Sequence, residues 1–184
     1  MDNLYHLFPD YARDLKINLQ NVLKQPELTE RQTWGTAVAS AVASRNPQLI
    51  AAVLAKANQH LSPEAMGAAK SAAAIMGMNN IYYRFQHLSG NERYSQIPAR
   101  LRMQAIRSHA ADPVDFELWC TAVSAINGCE ACVTSHEGVL REKGVSEETI
   151  LAAIRIASVI HGTAAVLDTE AVTIPDAVEA VTVP

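Results

Sequence analysis

Apolar residues recur at helical spacing along most of this chain, and no stretch shows a convincing alternation of apolar and polar residues, which is the pattern of a β-strand. One clear example is the set Phe116, Trp119, Val123 and Ile126, whose spacing places it on one face of a helix. Alanine is frequent in these segments and few residues are aromatic, as expected of a core built from helices. The pattern predicts an all-α fold.

Polar caps and prolines predict where several helices begin. Four starts combine a residue that can cap the first turn with a helix-compatible residue close behind it: Thr29 with Gln32, Ser62 with Pro63, Asp112 with Pro113, and Ser146 with two glutamates. Gly144, after the sequence "LREK", predicts the end of the helix before it. These signals divide the chain into a series of separate helices.

The chain also repeats itself. The segment "WGTAVASA" at Trp34 matches "WCTAVSAI" at Trp119 with an offset of 85 residues, and "LSPEAMGAA" at Leu61 matches "VSEETILAA" at Val145 with an offset of 84. Each copy alone would bury little apolar surface. We therefore expect one pseudo-symmetric domain over residues 1–184 and not two independent domains.

The predicted domain has several parts. The first half spans about residues 27–88, a polar connector with Gly and Pro spans about 89–98, and the second half, which carries the candidate chemistry, spans about 112–168. A short helix is expected at about 99–108. The tail "TIPDAVEAVTVP" has two prolines and no clear period, and we expect it to be loosely held.

Charge and composition exclude several classes of function. The formal net charge is −4 and the 15 lysines and arginines are spread along the chain, so no basic surface for nucleic acid is predicted. The most apolar segment contains Arg155 and His161, and the first residues lack the apolar run of a signal peptide, so no membrane span and no secretion are expected. Three cysteines, an odd number, suit a reducing compartment, and we predict a cytoplasmic protein.

The segment "NGCEACVTSH" holds the candidate chemistry. Cys129, Cys132 and His136 fall on one face of a predicted helix that begins after Gly128. The opening turn of a helix stabilises a thiolate and so lowers the pKa of its thiol. Two cysteines three residues apart in a helical turn have Cα atoms roughly 5–6 Å apart, within reach of a disulfide. His136, one turn beyond Cys132, can take the thiol proton.

Glu117 is the fourth candidate and lies in the preceding predicted helix. A carboxylate among apolar neighbours either faces solvent or is buried with a partner, and a buried one would suit a proton relay. The first half of the chain replaces all four candidates by residues without such chemistry: Gln32 for Glu117, Ser44 for Cys129, Pro47 for Cys132 and Ala51 for His136. This difference between the halves indicates that the four residues act together.

The C-x-x-C pattern alone leaves three interpretations open: a redox couple, a metal site or an accident of composition. A zinc site is weakened because three ligands lie close in sequence and Glu117 is a doubtful fourth. A thioredoxin domain would need strands around the motif. Cys120 is expected to be a small buried residue. The other five histidines have no comparable company, and the segment "MGMNNIYYRF", residues 76–85, could line a cleft or an interface but is assigned no chemistry.

Several segments together resemble a known family. "ELWCTAVSAINGCEACVTSHE", with "WGTAVASA", "RNPQ" and "AAAIMGMNNIYYR" in the first half, closely resembles the alkyl hydroperoxide reductase D (AhpD) family of the carboxymuconolactone decarboxylase superfamily, up to about residue 168. The resemblance implies an all-helical subunit that forms a homotrimer, with each active site near the subunit contacts. It also implies an antioxidant thiol-dependent peroxidase with disulfide reductase activity.

Roles for the site residues follow from the resemblance by position. It implies that Cys132 is the peroxidatic thiol and the more buried cysteine, Cys129 the resolving thiol, His136 the general base and Glu117 part of a proton relay. It implies no bound cofactor and no metal, only a redox-active Cys129–Cys132 disulfide. The implied partners are a hydroperoxide substrate, an AhpC-like peroxiredoxin that the protein re-reduces, and a lipoyl-bearing dehydrogenase subunit whose lipoyl group donates electrons.

One position departs from the family pattern. The best-known members have a second histidine immediately before the second cysteine, where this chain has Ala131. Loss of one acid or base group slows the step it serves by about 10²–10⁴-fold. Direct peroxide reduction is therefore expected to be weak, or a water bridges Glu117 and His136, while dithiol exchange is less affected. The alternatives are a decarboxylase or isomerase of the wider superfamily and a non-catalytic helical metal-binding adaptor.

Overall fold

A computed structural model describes residues 1–172, apart from the side chains of residues 2 and 3. Within that range the chain forms eight α-helices and no β-strand: α1 (Arg13–Asn21), α2 (Glu30–Ser44), α3 (Pro47–Ala57), α4 (Pro63–Leu88), α5 (Arg93–Gln96), α6 (Pro113–Ile126), α7 (Glu130–Glu142) and α8 (Glu147–Glu170). Short 3₁₀ helices lie at Asp2–Leu7, Asp10–Ala12, Val22–Lys24 and Gln104–Ile106. The all-α prediction is confirmed. The tail that we expected to be loosely held, residues 173–184, lies outside the described residues.

The predicted helix starts are confirmed by their capping hydrogen bonds. At the start of α2 the Gln32 N–H donates to Thr29 Oγ1 at 3.2 Å, and the Thr29 N–H donates to Gln32 Oε1 at 3.0 Å, which completes a capping box. Side-chain caps at α4, α6 and α8 are formed by Ser62, Asp112 and Ser146. Asn46 caps α3 by accepting the Leu49 N–H at 2.8 Å, a start that the sequence did not lead us to predict. Gly144, with a φ of +79°, follows the end of α7 as predicted.

Helix α2 lies at the centre of the fold and packs against α4, α6 and α8. Every residue from Thr33 to Ala41 is buried, and most of them are small, so neighbouring helices can approach α2 on all sides. The closest approach is at Gly35, where a Cβ atom would lie 2.2 Å from the indole ring of the fully buried Trp119 on α6. This contact fixes the position of α6, which also carries Glu117.

The order of helix lengths is similar in the two halves of the chain. Helices α2, α3 and α4 have 15, 11 and 26 residues, and α6, α7 and α8 have 14, 13 and 24. These lengths are in keeping with the sequence repeat. The repeat, the domain limits and the homotrimer stay predictions.

The segment between α4 and α6 differs from the prediction in one part. The prediction of a helix at about 99–108 is wrong, because this segment is irregular apart from the 3₁₀ turn at Gln104–Ile106. Arg100 has a φ of +51°, which a right-handed helix cannot include. Met103 and Ile106 instead line the cavity described below. Tertiary packing of these two side chains overrides the local helix propensity.

Helix α8 is long and apolar enough to cross a membrane by length and composition alone. However, more than half of its most apolar stretch is buried inside the fold, and Ala152, Ile156 and Ile160 are part of the core. This burial is that of a core helix. The cytoplasmic location stays a prediction.

Candidate active site

The two cysteines of the C-x-x-C motif lie at the start of α7, after a sharp turn from α6. Gly128, in that turn, has a φ of +64°, a left-handed conformation that favours glycine. Cys129 is the N-cap residue of α7: its carbonyl accepts the Val133 N–H at 2.9 Å, and its own N–H donates to the Ser124 carbonyl at 3.1 Å. Cys132 lies in the first turn, where free backbone N–H groups and the helix dipole stabilise a negative charge.

The sulfur atoms of Cys129 and Cys132 lie at disulfide-bonding distance, and their Cα atoms are 5.3 Å apart, within the range that the helical spacing predicts. Cys129 is fully buried, whereas Cys132 is 5% exposed and lines a cavity. In this single subunit the burial order is therefore the reverse of the order that the family resemblance implies. Access to the cavity still favours Cys132 as the sulfur that meets a substrate. The roles of both cysteines stay predictions.

His136 and Glu117 form a direct hydrogen bond between α7 and α6. His136 Nδ1 and Glu117 Oε2 are 2.6 Å apart, and the two side chains are 13% and 17% exposed. Of the two environments expected for Glu117, the structure is nearer the second: the carboxylate is half-buried and has a partner. The alternative in which a water bridges these two groups is wrong, since they bond to each other directly. With Nδ1 held by the carboxylate, Nε2 is the ring nitrogen left to act as a base.

A cavity of about 470 Å³ opens beside Cys132, a volume typical of small-molecule sites. Its wall joins the candidate residues Cys132, His136 and Glu117 to side chains from α4, α7 and the segment before α6: Met76, Asn79, Tyr83, Met103, Ile106, Ala131, Ser135 and Val139. Much of this wall is apolar. Ala131 places no titratable group in it, so the family's second imidazole has no counterpart at that position.

The part of the cavity wall that comes from α4 was assigned no chemistry from the sequence. Met76, Asn79 and Tyr83 follow one another at i, i+3 and i+7, the same one-face spacing as the cysteines and His136. The suggestion that residues 76–85 could line a cleft is confirmed for these three residues. Their shared spacing was the available signal, whereas Met103 and Ile106 come from an irregular segment that gave none.

Helix α4 also holds the turn before Cys129 from inside the fold. Asn80 is fully buried, donates through Nδ2 to Ser124 Oγ at 3.0 Å, and accepts at Oδ1 from Asn127 Nδ2 at 2.8 Å. Arg84 Nη1 donates to the Asn127 carbonyl oxygen. A satisfied buried network of this kind holds its members in one arrangement. The network therefore fixes the geometry with which α6 passes into α7.

Cys120 is fully buried, as predicted, and it does not line the cavity. Burial raises the pKa of its thiol well above the ordinary value, and the charge of the nearby Glu117 carboxylate raises it further. A protonated, inaccessible thiol is a poor nucleophile. Cys129 and Cys132 are thus the candidate reactive pair.

Four of the other five histidines have partners, and none of these contacts resembles the grouping of His136 with two cysteines and Glu117. These contacts are His60 with Glu30 at 2.6 Å and stacked on Trp34, His87 with Glu130 at 3.1 Å, His109 stacked on Phe116, and His161 with Ser44 Oγ at 3.2 Å. None of the four belongs to the cavity wall. Within residues 1–172 no three His, Cys, Asp or Glu side chains are grouped as ligands for a metal ion.

Comparison with known proteins gives one consistent match. Residues 92–174 match the carboxymuconolactone decarboxylase family. The chain is 64% identical over 171 residues to the alkyl hydroperoxide reductase AhpD of Solibacter usitatus, covering 93% of this chain and 97% of that protein. It is 58% identical to the protein of the same name from Acidobacterium capsulatum, covering 96% of this chain and 97% of that protein. It is 55% identical to the one from Koribacter versatilis, covering 92% and 88%.

Proposed function

The chain belongs to the AhpD family, within the carboxymuconolactone decarboxylase superfamily, and we propose that it is a thiol-dependent alkyl hydroperoxide reductase with Cys129 and Cys132 as its redox pair. The family supports an oxidoreductase with a peroxide-reducing, antioxidant role. One observation carries the finer proposal: Cys132, beside a second sulfur at a helix start, shares a cavity with the hydrogen-bonded pair His136 and Glu117.

The first proposed step is attack on the hydroperoxide. The Cys132 thiol gives its proton to His136, and the Glu117 carboxylate stabilises the imidazolium through Nδ1. The thiolate bonds to the terminal oxygen of ROOH, the oxygen–oxygen bond breaks, and the leaving alkoxide takes the proton from His136 to become the alcohol ROH. Cys132 is oxidised by two electrons to a sulfenic acid, and the peroxide is reduced.

The second step closes the disulfide and the third reopens it. The Cys129 sulfur attacks the sulfenic sulfur of Cys132, a sulfur–sulfur bond forms, and the hydroxyl group leaves as water with the Cys129 proton. The Cα separation of 5.3 Å allows this bond without a change in the helix. We propose that the dihydrolipoyl group of a lipoyl-bearing dehydrogenase subunit then exchanges with the disulfide, which restores both thiols and leaves the lipoyl group as a cyclic disulfide.

Ala131 bears on the choice of oxidant. Without an imidazole at this position, proton transfer during peroxide attack depends on His136 and Glu117 alone, which slows that step. Thiol–disulfide exchange needs a nucleophilic thiolate and an accessible partner sulfur, and is less affected. We propose that re-reduction of an AhpC-like peroxiredoxin disulfide is the faster of the two reactions.

A homotrimer is also part of the proposal. Large apolar side chains are exposed at the end of α4 and in the segment after it: Ile81, Phe85, Leu88, Tyr94 and Ile97, each at least 40% exposed. Exposed apolar side chains this close together in sequence favour a subunit contact. Light scattering during gel filtration should give three times the 19.9 kDa mass of one chain. A monomer at micromolar concentration would contradict the trimer.

Thiol counting tests the redox mechanism. The reduced chain has three thiols, and excess tert-butyl hydroperoxide should leave one, measured with a chromogenic disulfide after unfolding. Cys132→Ser should keep both of its remaining thiols. Cys120→Ala is the matched control, because its site lies outside the cavity, and it should lose both. Three thiols persisting in the wild-type chain, with hydroperoxide and with oxidised lipoamide alike, would refute the mechanism.

The electron donor is tested on the oxidised protein. Dihydrolipoamide and reduced glutathione are compared at equal thiol concentration, and recovery of two thiols is followed with time. Dihydrolipoamide should be the faster reductant, because its second thiol releases the mixed disulfide within one molecule. Glutathione at an equal or greater rate would contradict the lipoyl group as donor.

A further inference from the structure

The side chain of Asn79 is buried, and its oxygen has no hydrogen-bond partner among residues 1–172. It lies on α4, is 3% exposed, and its Oδ1 is shielded from solvent yet accepts no hydrogen bond. A buried acceptor without a partner costs free energy, so it requires an explanation in a native fold.

The adjacent residue, Asn80, shows what a structural asparagine does at this depth. It uses both ends of its amide, with Ser124 Oγ at 3.0 Å and Asn127 Nδ2 at 2.8 Å. The fold thus satisfies the asparagine that faces the α6–α7 turn. It leaves unsatisfied the asparagine that lines the cavity beside Cys132.

The location of Asn79 separates it from the other buried atoms without partners in the described chain, which are Ser40 Oγ, His60 Nε2 and Trp119 Nε1. None of those three residues lines the cavity of Cys132, whereas Asn79 does. Its unused acceptor therefore lies beside the place where a substrate would meet the reactive sulfur.

The other buried or half-buried polar side chains of the wall each make a hydrogen bond already, and the ring nitrogen that His136 keeps free is the base of the proposed reaction. Glu117 and His136 bond to each other at 2.6 Å, and the Tyr83 hydroxyl donates to Met103 Sδ at 3.6 Å. Asn79 is thus the buried amide in this wall that is free to bond to something that enters the cavity.

We propose that Asn79 binds the hydroperoxide group of the substrate: a small rotation of its amide turns Oδ1 toward the cavity, where it accepts the O–H. This inference rests on the proposed function and adds a substrate-binding residue to it. The terminal oxygen carries the O–H and is the atom to which the Cys132 sulfur bonds, so an acceptor for that O–H holds the reacting atom in place. Nδ2 of the same amide can donate to the second oxygen, on which negative charge develops as the O–O bond breaks.

The apolar part of the wall completes the site for this class of substrate. An alkyl group attached to the bound O–O–H would lie against side chains without polar hydrogens: Met76, Met103, Ile106 and Val139. The wall therefore favours an alkyl hydroperoxide over hydrogen peroxide, while the contact with Asn79 is shared by both.

Asn79→Leu is the informative variant, because leucine keeps the size of the side chain and removes its polar atoms. The second-order rate of thiol oxidation should fall at least about 10-fold, since one lost hydrogen bond to a substrate has about that effect and leucine can make neither of the two proposed bonds. The fall should be similar for hydrogen peroxide and tert-butyl hydroperoxide, since both carry O–O–H. The melting temperature should equal or exceed that of the wild type. Reduction of the Cys129–Cys132 disulfide by dihydrolipoamide should stay within about two-fold.

Asn80→Leu is the matched control on the same helix. It breaks the network at the turn before Cys129, so it should lower the melting temperature and slow both oxidation and reduction. If leucine does not fit at position 79, Asn79→Ala, which cannot overpack, carries the same comparison.

The outcomes distinguish the inference from the function on which it rests. Asn79→Leu thiols that are oxidised within about two-fold of the wild-type rate overturn the role of Asn79 and leave the proposed function standing. The same holds if the variant loses stability and slows both reactions alike, as Asn80→Leu should. Wild-type thiols that neither a hydroperoxide nor oxidised lipoamide oxidises overturn the proposed function and this inference together, whereas oxidation by lipoamide alone overturns this inference.

Discussion

Gly35→Ala is expected to destabilise the fold, although glycine to alanine normally stabilises a helix. A Cβ atom at Gly35 would lie 2.2 Å from two carbons of the Trp119 ring, whereas carbon atoms pack best at about 3.5–4.0 Å. One of the two helices must therefore move by more than about 1 Å. The ring is fully buried and cannot swing away. Overpacking in a core costs about 1–3 kcal/mol, and we take the upper end because neither contact partner is flexible.

The net loss is smaller, because alanine gains about 1 kcal/mol over glycine in a helix. The free energy of unfolding of Gly35→Ala should thus be about 2 kcal/mol lower than that of the wild type, which lowers the melting temperature by about 4–8 °C in a chain of this size. Gly67→Ala is the matched control: Gly67 is also helical, on α4, and is exposed, and a Cβ atom added there would have no other atom within 4 Å. That variant should gain about 1 kcal/mol.

Thermal and urea unfolding followed by far-ultraviolet circular dichroism, at one fixed protein concentration, measures both changes. The result that refutes the reasoning is a Gly35→Ala protein as stable as the Gly67→Ala protein. Such a result would mean that α2 and α6 can separate at no cost. The close approach at Trp119 would then not fix the position of α6.

Three further predictions concern single side chains. Glu117→Gln should slow thiol oxidation by about 100-fold, because a neutral amide does not stabilise the His136 imidazolium; stopped-flow thiol titration measures this, and an unchanged rate would remove Glu117 from the relay. Cys120 should resist iodoacetamide at pH 8 in the folded protein, since its raised pKa keeps it protonated there, and mass spectrometry should find it alkylated only after unfolding. Arg31→Met should lower the free energy of unfolding by about 2 kcal/mol, because it leaves the buried Asp115 carboxylate without its ion pair. Adding Asp115→Asn should recover part of that loss. Equal stability of the single and double variants in urea unfolding would contradict the argument.

Much of the fold could be predicted from the sequence because the helix starts are local signals. Thr29, Ser62 and Ser146 each act on backbone N–H groups within three residues of themselves, so no knowledge of the tertiary structure is needed to find them. The helix expected at about 99–108 failed for the opposite reason. The conformation of this segment depends on the packing of Met103 and Ile106, whose side chains line a cavity. Most other residues of that cavity come from distant parts of the sequence, so no local signal predicts the packing.

The candidate site divides in the same way. The spacing of Cys129, Cys132 and His136 is local, so their shared helix face could be predicted. The direct bond between Glu117 and His136 depends on how α6 packs against α7. The sequence alone could not decide whether the Glu117 side chain faces solvent or packs against a partner. The sequence could not predict that the side-chain oxygen of Asn79 has no hydrogen-bond partner, because a missing hydrogen bond is visible only when all neighbours are placed.

The two halves of the chain contribute different things to this site. Glu117 and the residues of the C-x-x-C helix bring the groups that react, and all of them lie after residue 112. Helix α4, from the first half, brings Asn79 and Tyr83 to the cavity wall and, through Asn80, holds the turn from which the cysteines start. The first half therefore has no ionisable counterparts of the reacting groups, yet it shapes the cavity and holds the turn before the cysteines. A substitution on α4 can change the reactivity of the thiols while leaving every reacting group in place, because it changes what surrounds them and how the turn is held.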